Sequence, residues 1–365
     1  VKGLIQANKI DLYIGSGKVI TPHEVEINEK SGITTITTEK LILATGSKPF
    51  VPAIPGFDLP GVITSDEALD LGAIPKAMVI IGGGVIGLEF AYLMQTFGCK
   101  VTIIEMMPVL LPMADKEAVE VLVSSLEKLG VTFFTNAKVS KIAKAEAALV
   151  VEYQIDNITY RVEGEKVLVS TGRAASVAGI ESLHLHGKKG IPVNAQMETS
   201  ISGVFAIGDV VGGIQLAHVA SAQGIVAAQN AAGINSSYHD DAIPSCIYTN
   251  PEVAWVGMNE QAAKEKYGSI KVGKFPFQAS GKAMAYGETN GFVKIICEEQ
   301  YGEILGVHIV GPHATDLISE GVLAKSMEAT LEELAHVIHP HPTLSEAIME
   351  AAHVTMGQGI HFIAK

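Results

Sequence analysis

The sequence of 365 residues lacks paired cysteines, clusters of basic residues and long apolar runs. Its three cysteines, Cys99, Cys246 and Cys297, form no C-x-x-C or C-x-x-x-x-C pair, so we expect reduced, structural thiols. The net charge of −13 disfavours binding to nucleic acid, because phosphate repels an acidic surface. No apolar run reaches the roughly 18 residues that a membrane span needs. These absences predict a cytoplasmic protein with neither a membrane span nor a nucleic-acid partner.

Glycine and apolar residues are abundant instead. The 37 glycines and the hydrophobic fraction of 48% are typical of a glycine-rich α/β protein. A chain of this length can hold two or three domains and a sizeable core.

One stretch has the sequence of a dinucleotide-binding loop. The apolar residues 78–81 predict a buried parallel strand, and a helix is predicted at 85–97. Between them Gly82 allows a sharp turn, Gly84 allows the backbone to approach a pyrophosphate, and Gly87 allows the helix to pack closely on the strand. The pyrophosphate is expected at the free N–H groups of the helix N-terminus.

An acidic residue stands where such a loop needs one. The next predicted strand, KVTIIE, ends in Glu105, which lies 21 residues after Gly84. A carboxylate there accepts hydrogen bonds from both hydroxyls of the adenosine ribose and repels a 2′-phosphate. The sequence therefore predicts a site that prefers NAD to NADP.

The chain contains an internal duplication. A helix predicted at 115–129 and a strand at 131–134 are followed by three short strands, at 138–142, 148–155 and near 159–163, and by the apolar strand VLVSTG at 167–172. The first 46 residues repeat this ending, with strands predicted at 9–13, 17–20, 23–27, 34–37 and 41–46. Two meanders that each finish in a buried strand and Thr-Gly indicate a duplicated unit.

The two copies differ in length. Thr171 lies 89 positions after Gly82, whereas only 44 residues precede Thr45. The first copy therefore lacks a strand, glycine loop and helix, and we expect the sequence to be a fragment of a longer chain.

Beyond the second copy the pattern changes. Residues 199–210, TSISGVFAIGDV, predict the last strand of the first unit, with a helix at 217–232, so the second unit is an insertion within the first. Strands at 274–277, 291–297 and 304–310, then helices at 315–327, 331–337 and 343–356, predict an α+β domain suited to oligomerisation.

The predicted fold class is α/β, with duplicated Rossmann-like units, the first incomplete, and a C-terminal α+β dimerisation domain. The predicted segments are 1–72 and 193–241 for the first unit, 73–192 for the insertion, and 242–365 for the C-terminal domain.

Several motifs together resemble those of the flavin-dependent pyridine nucleotide-disulphide oxidoreductases. They are GGGVIGLE, STGR, GVFAIGDV, YTNPEVAWVG, ILGVHIVGPHATDLI and HPTLSE, and the resemblance runs from Val1 to Lys365. It implies an FAD domain, an inserted NAD domain and a C-terminal interface domain of a homodimer. Family members also carry an N-terminal FAD-binding loop and a C-x-x-x-x-C redox disulphide, and this sequence contains neither.

The resemblance also implies an acid/base pair. His341 matches the family's histidine that takes a proton from the dithiol, at the flavin site of the partner subunit, and Glu346 matches the glutamate that holds its other ring nitrogen. Thr343 and Glu346 also have the spacing of a helix capping box, so the glutamate has a second interpretation. His336, His339 and His341 lack a metal-ligand spacing, and we expect no metal and no role for His339.

Other positions match the cofactor sites of the family. Glu89, which the family pairs with a lysine on the disulphide helix, is expected to be unpaired because that helix is missing. The remaining matches are Thr45 and Gly46 for the FAD adenosine, Gly172 and Arg173 for the NAD adenosine, Gly208 and Asp209 for the flavin ribitol, and Ala217 and His218 for the flavin ring edge.

The implied reaction is the reoxidation of protein-bound dihydrolipoamide through the disulphide and FAD to NAD. Lipoyl-bearing domains and the core subunit of 2-oxoacid dehydrogenase complexes, or the glycine cleavage system, are the implied partners. This chain should be inactive alone, since it lacks the disulphide.

An NADPH-dependent glutathione or mercuric reductase remains an alternative, although Glu105 and the His-Glu pair favour the first interpretation. A non-catalytic, dimeric NAD-binding scaffold is the other alternative.

Overall fold

The structure is a computed structural model that describes residues 1–146, 148–185, 187 and 189–362. Its residues group into two units, which we call unit 1 (Val1–Phe50 with Arg173–His239) and unit 2 (Val51–Gly172 with Asp240–Lys365). Residues 363–365 of the predicted C-terminal domain lie outside the described residues. The four predicted segment boundaries stay a prediction.

Strands and helices both occur throughout the described chain. The strands are β1 Gly15–Thr21, β2 Glu24–Glu29, β3 Gly32–Thr37, β4 Leu41–Leu43, β5 Ser47–Pro49, β6 Val62–Ile63, β7 Ala77–Ile81, β8 Lys100–Ile104, β9 Thr132–Phe134, β10 Lys138–Lys144, β11 Leu149–Ile155, β12 Ile158–Gly164, β13 Lys166–Val169, β14 Arg173–Ala175, β15 Val204–Ala206, β16 Ser245–Ile247, β17 Glu252–Gly257, β18 Ile270–Pro276, β19 Phe292–Glu298 and β20 Ile304–Gly311. The α-helices are α1 Lys2–Ala7, α2 Ser65–Ala68, α3 Val85–Thr96, α4 Lys116–Leu129, α5 Ala217–Ala231, α6 Glu260–Tyr267, α7 Gly281–Tyr286, α8 Ala314–Ser326, α9 Leu331–His336 and α10 Glu346–Thr355.

The described residues of unit 1 form three small sheets. Strands β1 to β3 form an antiparallel meander, β4 pairs with β15 in parallel, and β5 pairs with β14 antiparallel. The strand predicted at 9–13 is wrong: residues 9–14 are exposed, and no ladder in the described chain includes them. Alternating apolar residues form a strand only when a neighbouring strand accepts their backbone hydrogen bonds, and here they have none to pair with.

Unit 2 begins with a parallel sheet of order β6-β13-β7-β8-β9. Its central strand β7 is buried on both faces, which explains its continuous apolar sequence. A separate antiparallel sheet, β10-β11-β12, corresponds to the second predicted meander. The glycine loop follows β7 directly, at the carboxyl end of the parallel strands, where ligands of such sheets bind.

The C-terminal part of unit 2 is an antiparallel sheet of order β16-β17-β20-β19-β18. Helices α8 and α10 pack on this sheet, because Ile318 of α8 and Ala347, Ile348 and Ala351 of α10 are buried in its core. A second core contains β17 residues Val253 and Trp255 together with residues of α3 and α4. The glycine-loop part and the C-terminal part of unit 2 therefore share apolar packing.

Helix α4 has clear start and stop signals. The Asp115 side chain accepts a hydrogen bond from the Glu117 N–H at its N-terminus, and Gly130 ends it with φ 110°, a left-handed conformation that favours glycine. Ala118, Leu122 and Leu126, spaced four residues apart, form its buried face. Capping and periodicity together explain the agreement with the predicted helix.

A buried lysine connects α4 to the C-terminal sheet. Lys294 lies in β19 between apolar neighbours and is 1% exposed. Its Nζ donates to Asp115 Oδ2 at 2.9 Å, Glu117 Oε2 at 2.9 Å and Glu260 Oε2 at 2.7 Å, so all three ammonium protons are used. Burial lowers the pKa of Lys294, but these hydrogen bonds outweigh burial and raise it. We call these four residues the Lys294 cluster.

Among the described residues, no helix is long and apolar enough to cross a membrane. The cytoplasmic location stays a prediction.

Candidate active site

The glycine loop divides its tasks between folding and ligand binding. A Cβ on Gly82, whose φ is 111°, would lie 2.4 Å from the Ser170 carbonyl oxygen, and one on Gly87 would lie 2.1 Å from the Gly82 carbonyl oxygen. Gly84 is different, because a Cβ there would meet no atom within 4 Å. Gly82 and Gly87 are therefore required by packing, whereas the space at Gly84 suits a pyrophosphate close to the backbone.

Glu105 lies beside this loop with both carboxylate oxygens oriented. Its Oε2 accepts the Gly83 N–H and its Oε1 accepts the Met107 N–H, each at 2.7 Å. Each oxygen keeps a further lone pair, which a ribose hydroxyl can use. The arrangement fits the adenosine ribose of NAD, and a 2′-phosphate at the same place would meet a fixed negative charge.

Glu89 accepts a hydrogen bond from the backbone, and the expected absence of its lysine partner stays a prediction. Its Oε1 accepts the backbone N–H of Tyr248 at 3.0 Å. Burial raises the pKa of Glu89, and this hydrogen bond only partly offsets the effect. A backbone N–H gives the carboxylate a hydrogen bond but no counter-charge, and no local pattern indicates a contact between residues so far apart.

In unit 1, Asp209, which is predicted for the flavin ribitol, belongs to a short hydrogen-bonded chain with Ser47 and Arg173. Arg173 Nε donates to Ser47 Oγ at 2.6 Å, and Ser47 Oγ donates to Asp209 Oδ2 at 2.5 Å. Arg173 Nη2 also donates to the Ser47 carbonyl oxygen at 3.1 Å. Ser47 is not among the predicted residues, although it directly follows the Thr45-Gly46 pair. These contacts associate Arg173 with the residues predicted for FAD.

The other predicted FAD residues lie on the turns that follow β4 and β15 and at the start of α5. The Thr45 hydroxyl donates to the Ser176 carbonyl oxygen at 2.6 Å, and Gly46 has φ 70° with no atom within 4 Å of a Cβ. The Gly208 N–H donates to Gln223 Oε1 at 2.7 Å. Ala217 and His218 are the first two residues of α5, and both are exposed. Open space at Gly46 and the N-terminus of α5 fit a phosphate-bearing cofactor.

His341 and Glu346 form a direct pair. His341 Nδ1 lies 2.9 Å from Glu346 Oε1, and Glu346 Oε2 accepts the Thr343 N–H at 2.8 Å. Burial raises the pKa of Glu346, but the hydrogen bonds from Thr343 and His341 outweigh it and lower the pKa. An ionised carboxylate only accepts hydrogen bonds, so the proton between the two groups is on His341 Nδ1 and the lone pair of the ring is on Nε2. The His341 side chain is 80% exposed.

This geometry combines the two interpretations of Glu346. One carboxylate oxygen binds the catalytic candidate His341, and the other binds the backbone of Thr343 as in a capping box. Helix α10 has no side-chain cap hydrogen bond in the described structure, so the reciprocal half of the box is not formed; the Thr343 hydroxyl donates to the Pro340 carbonyl oxygen and lies 3.0 Å from Ser345 Oγ.

The cysteines have the properties of structural thiols. Burial raises the pKa of Cys99 and of Cys246 to about 11, and it also raises the pKa of Cys297. All three are free in the described structure. Only the thiolate attacks a disulphide, so thiols that stay protonated at neutral pH are poor redox groups.

Sequence profiles identify the family. Residues 1–224 match pyridine nucleotide-disulphide oxidoreductase, and residues 243–352 match the dimerisation domain of the same family. The chain belongs to the pyridine nucleotide-disulphide oxidoreductases. The predicted family, fold class and cofactors, FAD and NAD, are confirmed, and the dimerisation domain supports the predicted homodimer.

Individual relatives agree with this family. The chain is 44% identical to a dihydrolipoyl dehydrogenase of Bacillus subtilis, over 99% of this chain and 80% of the relative. It is 40% identical to the dihydrolipoyl dehydrogenase of Thermus scotoductus, over 100% of this chain and 79% of the relative. In structure it is similar to the HOCl-induced flavoprotein disulphide reductase RclA of Escherichia coli, with a TM-score of 0.88 and 26% identity over 97% of this chain and 82% of that one.

Proposed function

We propose that this pyridine nucleotide-disulphide oxidoreductase serves the oxidation of protein-bound dihydrolipoamide by NAD, the reaction of dihydrolipoyl dehydrogenase. The observation that carries the proposal is the His341–Glu346 pair, with Nδ1 bound to an ionised carboxylate and Nε2 exposed. A dithiol must lose a proton before it can attack a disulphide, and a base of this kind removes it.

Each residue of the proposed site has one task. His341 takes the thiol proton at Nε2, and Glu346 stabilises the imidazolium that results. Thr45, Gly46, Ser47, Asp209 and Arg173 would hold FAD, which when bound passes the electron pair of the dithiol to NAD. The site would lie at the partner subunit's flavin, so it would require the homodimer.

Glu105 selects NAD over NADP in this proposal, which disfavours the NADPH-dependent reductases. Its two oriented oxygens suit ribose hydroxyls and repel a phosphate. Lipoyl-bearing domains and the core subunit of 2-oxoacid dehydrogenase complexes, or the glycine cleavage system, are the proposed partners.

The dithiol step also needs a reactive pair of cysteines, and the three cysteines of this chain do not supply one. Their raised pKa values and their wide separation argue against a redox pair. We therefore expect the 365-residue chain to form no NADH from dihydrolipoamide, even with added FAD. Formation of NADH at a rate proportional to the chain concentration would contradict this account of the cysteines.

A chimera gives the positive test. Residues 1–362 of this chain would replace the matching 80% of the Bacillus subtilis relative, whose own remaining residues are kept. We expect dihydrolipoamide-dependent NADH formation, and a fall in kcat of about 100-fold or more in His341→Gln, because a general base contributes that order of rate. An active chimera in which His341→Gln keeps its kcat would contradict the proposed role.

A further inference from the structure

A second histidine–glutamate pair lies two residues before His341. His339 Nε2 lies 2.8 Å from Glu320 Oε1, and His339 Nδ1 lies 2.9 Å from the Val337 carbonyl oxygen. The His339 side chain is only 4% exposed, in contrast to 80% for His341. The sequence predicts no role for His339, and nothing in the HPHPT pattern identifies Glu320 as its partner.

Both ring nitrogens of His339 face oxygen acceptors. A carbonyl oxygen only accepts, so Nδ1 must carry a proton towards Val337. A proton must then also lie between Nε2 and the Glu320 carboxylate, on one atom or the other. With both nitrogens engaged and the ring buried, His339 cannot exchange protons with a substrate as the exposed Nε2 of His341 can.

Glu320 is a rigid anchor for this ring. It lies on α8, whose Ile318 is buried in the C-terminal core and whose Gly321 would place a Cβ within 3.0 to 3.2 Å of the Val307 side chain. Such close packing leaves the helix little freedom to move. Val337 is the C-cap of α9, so His339 joins two helices of the C-terminal part to the turn that follows them.

The turn is held at three points, and His341 lies between them. His339 is bound to Glu320 before it, the Thr343 hydroxyl donates to the Pro340 carbonyl oxygen at 2.7 Å, and Glu346 binds the Thr343 N–H after it. The first contact ties the chain before His341 to α8, whereas the Thr343–Pro340 hydrogen bond ties it only to the residues that follow His341.

Carboxylates of α8 and α10 lie beside the histidines of the turn. Glu320 faces His339 from α8, and His341 and His339 lie close enough to Glu346 of α10 that a positive charge on either ring helps to lower the pKa of Glu346. One turn further along α10, Glu350 Oε1 binds His361 Nδ1 at 2.6 Å. Glutamates on two packed helices thus face the histidines on the turn and the C-terminal tail.

We propose that His339 is a positioning residue for His341: through Glu320 it fixes the turn so that the His341–Glu346 hydrogen bond is preformed. This inference rests on the proposed function of His341 as the acid/base. It assigns His339 no contact with substrate or cofactor.

The test uses nitrogen-15 NMR of the histidine rings in the whole 365-residue chain. We expect His339 Nδ1 in the protonated range and His341 in the single tautomer with a proton on Nδ1. In Glu320→Ala, the two His341 nitrogen shifts should approach each other as tautomers mix. Hydrogen exchange of the Thr343 amide should rise about tenfold, as expected when a charge-assisted hydrogen bond that restricts local opening is lost.

Three further variants separate positioning from general damage. Glu320→Gln keeps an acceptor for Nε2–H and should keep most of the wild-type His341 nitrogen shifts. Asp316→Ala removes an exposed carboxylate of the same helix and should change neither these shifts nor the Thr343 exchange. His339→Gln, which keeps Glu320, should repeat the effect of Glu320→Ala.

The inference is overturned if Glu320→Ala and His339→Gln leave the His341 shifts and the Thr343 exchange unchanged, or if Asp316→Ala alters them equally. These readouts need no turnover, so they are independent of the chimera assay. A His341 ring that responds in NMR, with a chimera indifferent to His341→Gln, would support the positioning and reject the proposed function.

Discussion

Replacing Gly87 by alanine is expected to destabilise the chain by about 3 kcal/mol and to abolish NADH binding, because overpacking at this site has no room to relax. The new Cβ would lie 2.1 Å from the Gly82 carbonyl oxygen and 2.9 Å from Ser170 Oγ. Both neighbours belong to the junction of the glycine loop with the sheet, so helix α3 must move away from β7. Chemical denaturation and titration of NADH fluorescence measure the two effects.

Gly84→Ala is the matched control. A Cβ at Gly84 meets no atom within 4 Å, and the φ of −79° is accessible to alanine, so stability should change by less than about 1 kcal/mol. NADH affinity should still fall about 100-fold, because the methyl group would occupy the space of the pyrophosphate and its hydrogen bonds would be lost. Equal loss of stability in the two variants would contradict the division of tasks within the loop.

Lys294→Met is expected to cost about 3–5 kcal/mol at pH 7, because it leaves the buried Asp115 carboxylate without its cation. The Lys294 side chain is 2% exposed and that of Asp115 is 3% exposed, whereas the more exposed Glu260 keeps its ion pair with Lys264. Lys274→Met is the control: Lys274 also contacts Glu117, but it is 43% exposed, and its loss should cost less than about 1 kcal/mol.

The effect of Lys294→Met should depend on pH in a defined direction. Hydrogen bonds from Lys264 and Lys294 lower the pKa of Glu260 to about 2 from an ordinary value of 4.5. The stability it contributes to the wild-type chain is therefore present above pH 4.5 and lost as the pH falls towards 2. In the variant Glu260 loses the part of this effect that comes from Lys294, so the difference in stability between the wild-type chain and the variant should shrink as the pH falls from 4.5 towards 2. A difference in the free energy of unfolding that is constant over this range would show that the effect of Lys294→Met does not arise from the charges.

Local patterns predicted much of unit 2. The apolar run 78–81, the three glycines, the cap Asp115 and the stop Gly130 each act over a few residues, and the helices and strands that they predict are present. The strand at 9–13 failed because its formation depends on a distant partner strand. Apolar alternation describes a surface that can pair, whereas pairing itself is decided by the tertiary structure.

The site was predicted less completely than the fold, since its partners are distant in sequence. Ser47 binds Asp209 across 162 residues, and Glu320 binds His339 across 19. No spacing rule connects such pairs. The sequence does indicate a buried counter-charge for Lys294, because this lysine stands alone within the apolar strand FVKIICE. Nothing local identifies Asp115 or Glu260 as the residues that supply it.

The measurement that tests the central claim most directly is the ratio of the dissociation constants of NADPH and NADH for the purified chain, obtained by fluorescence titration at low salt. The oriented Glu105 carboxylate predicts that NADPH binds at least about tenfold more weakly than NADH, since its 2′-phosphate meets a fixed negative charge. Equal affinities, or tighter binding of NADPH, would contradict the assignment of this oxidoreductase to NAD.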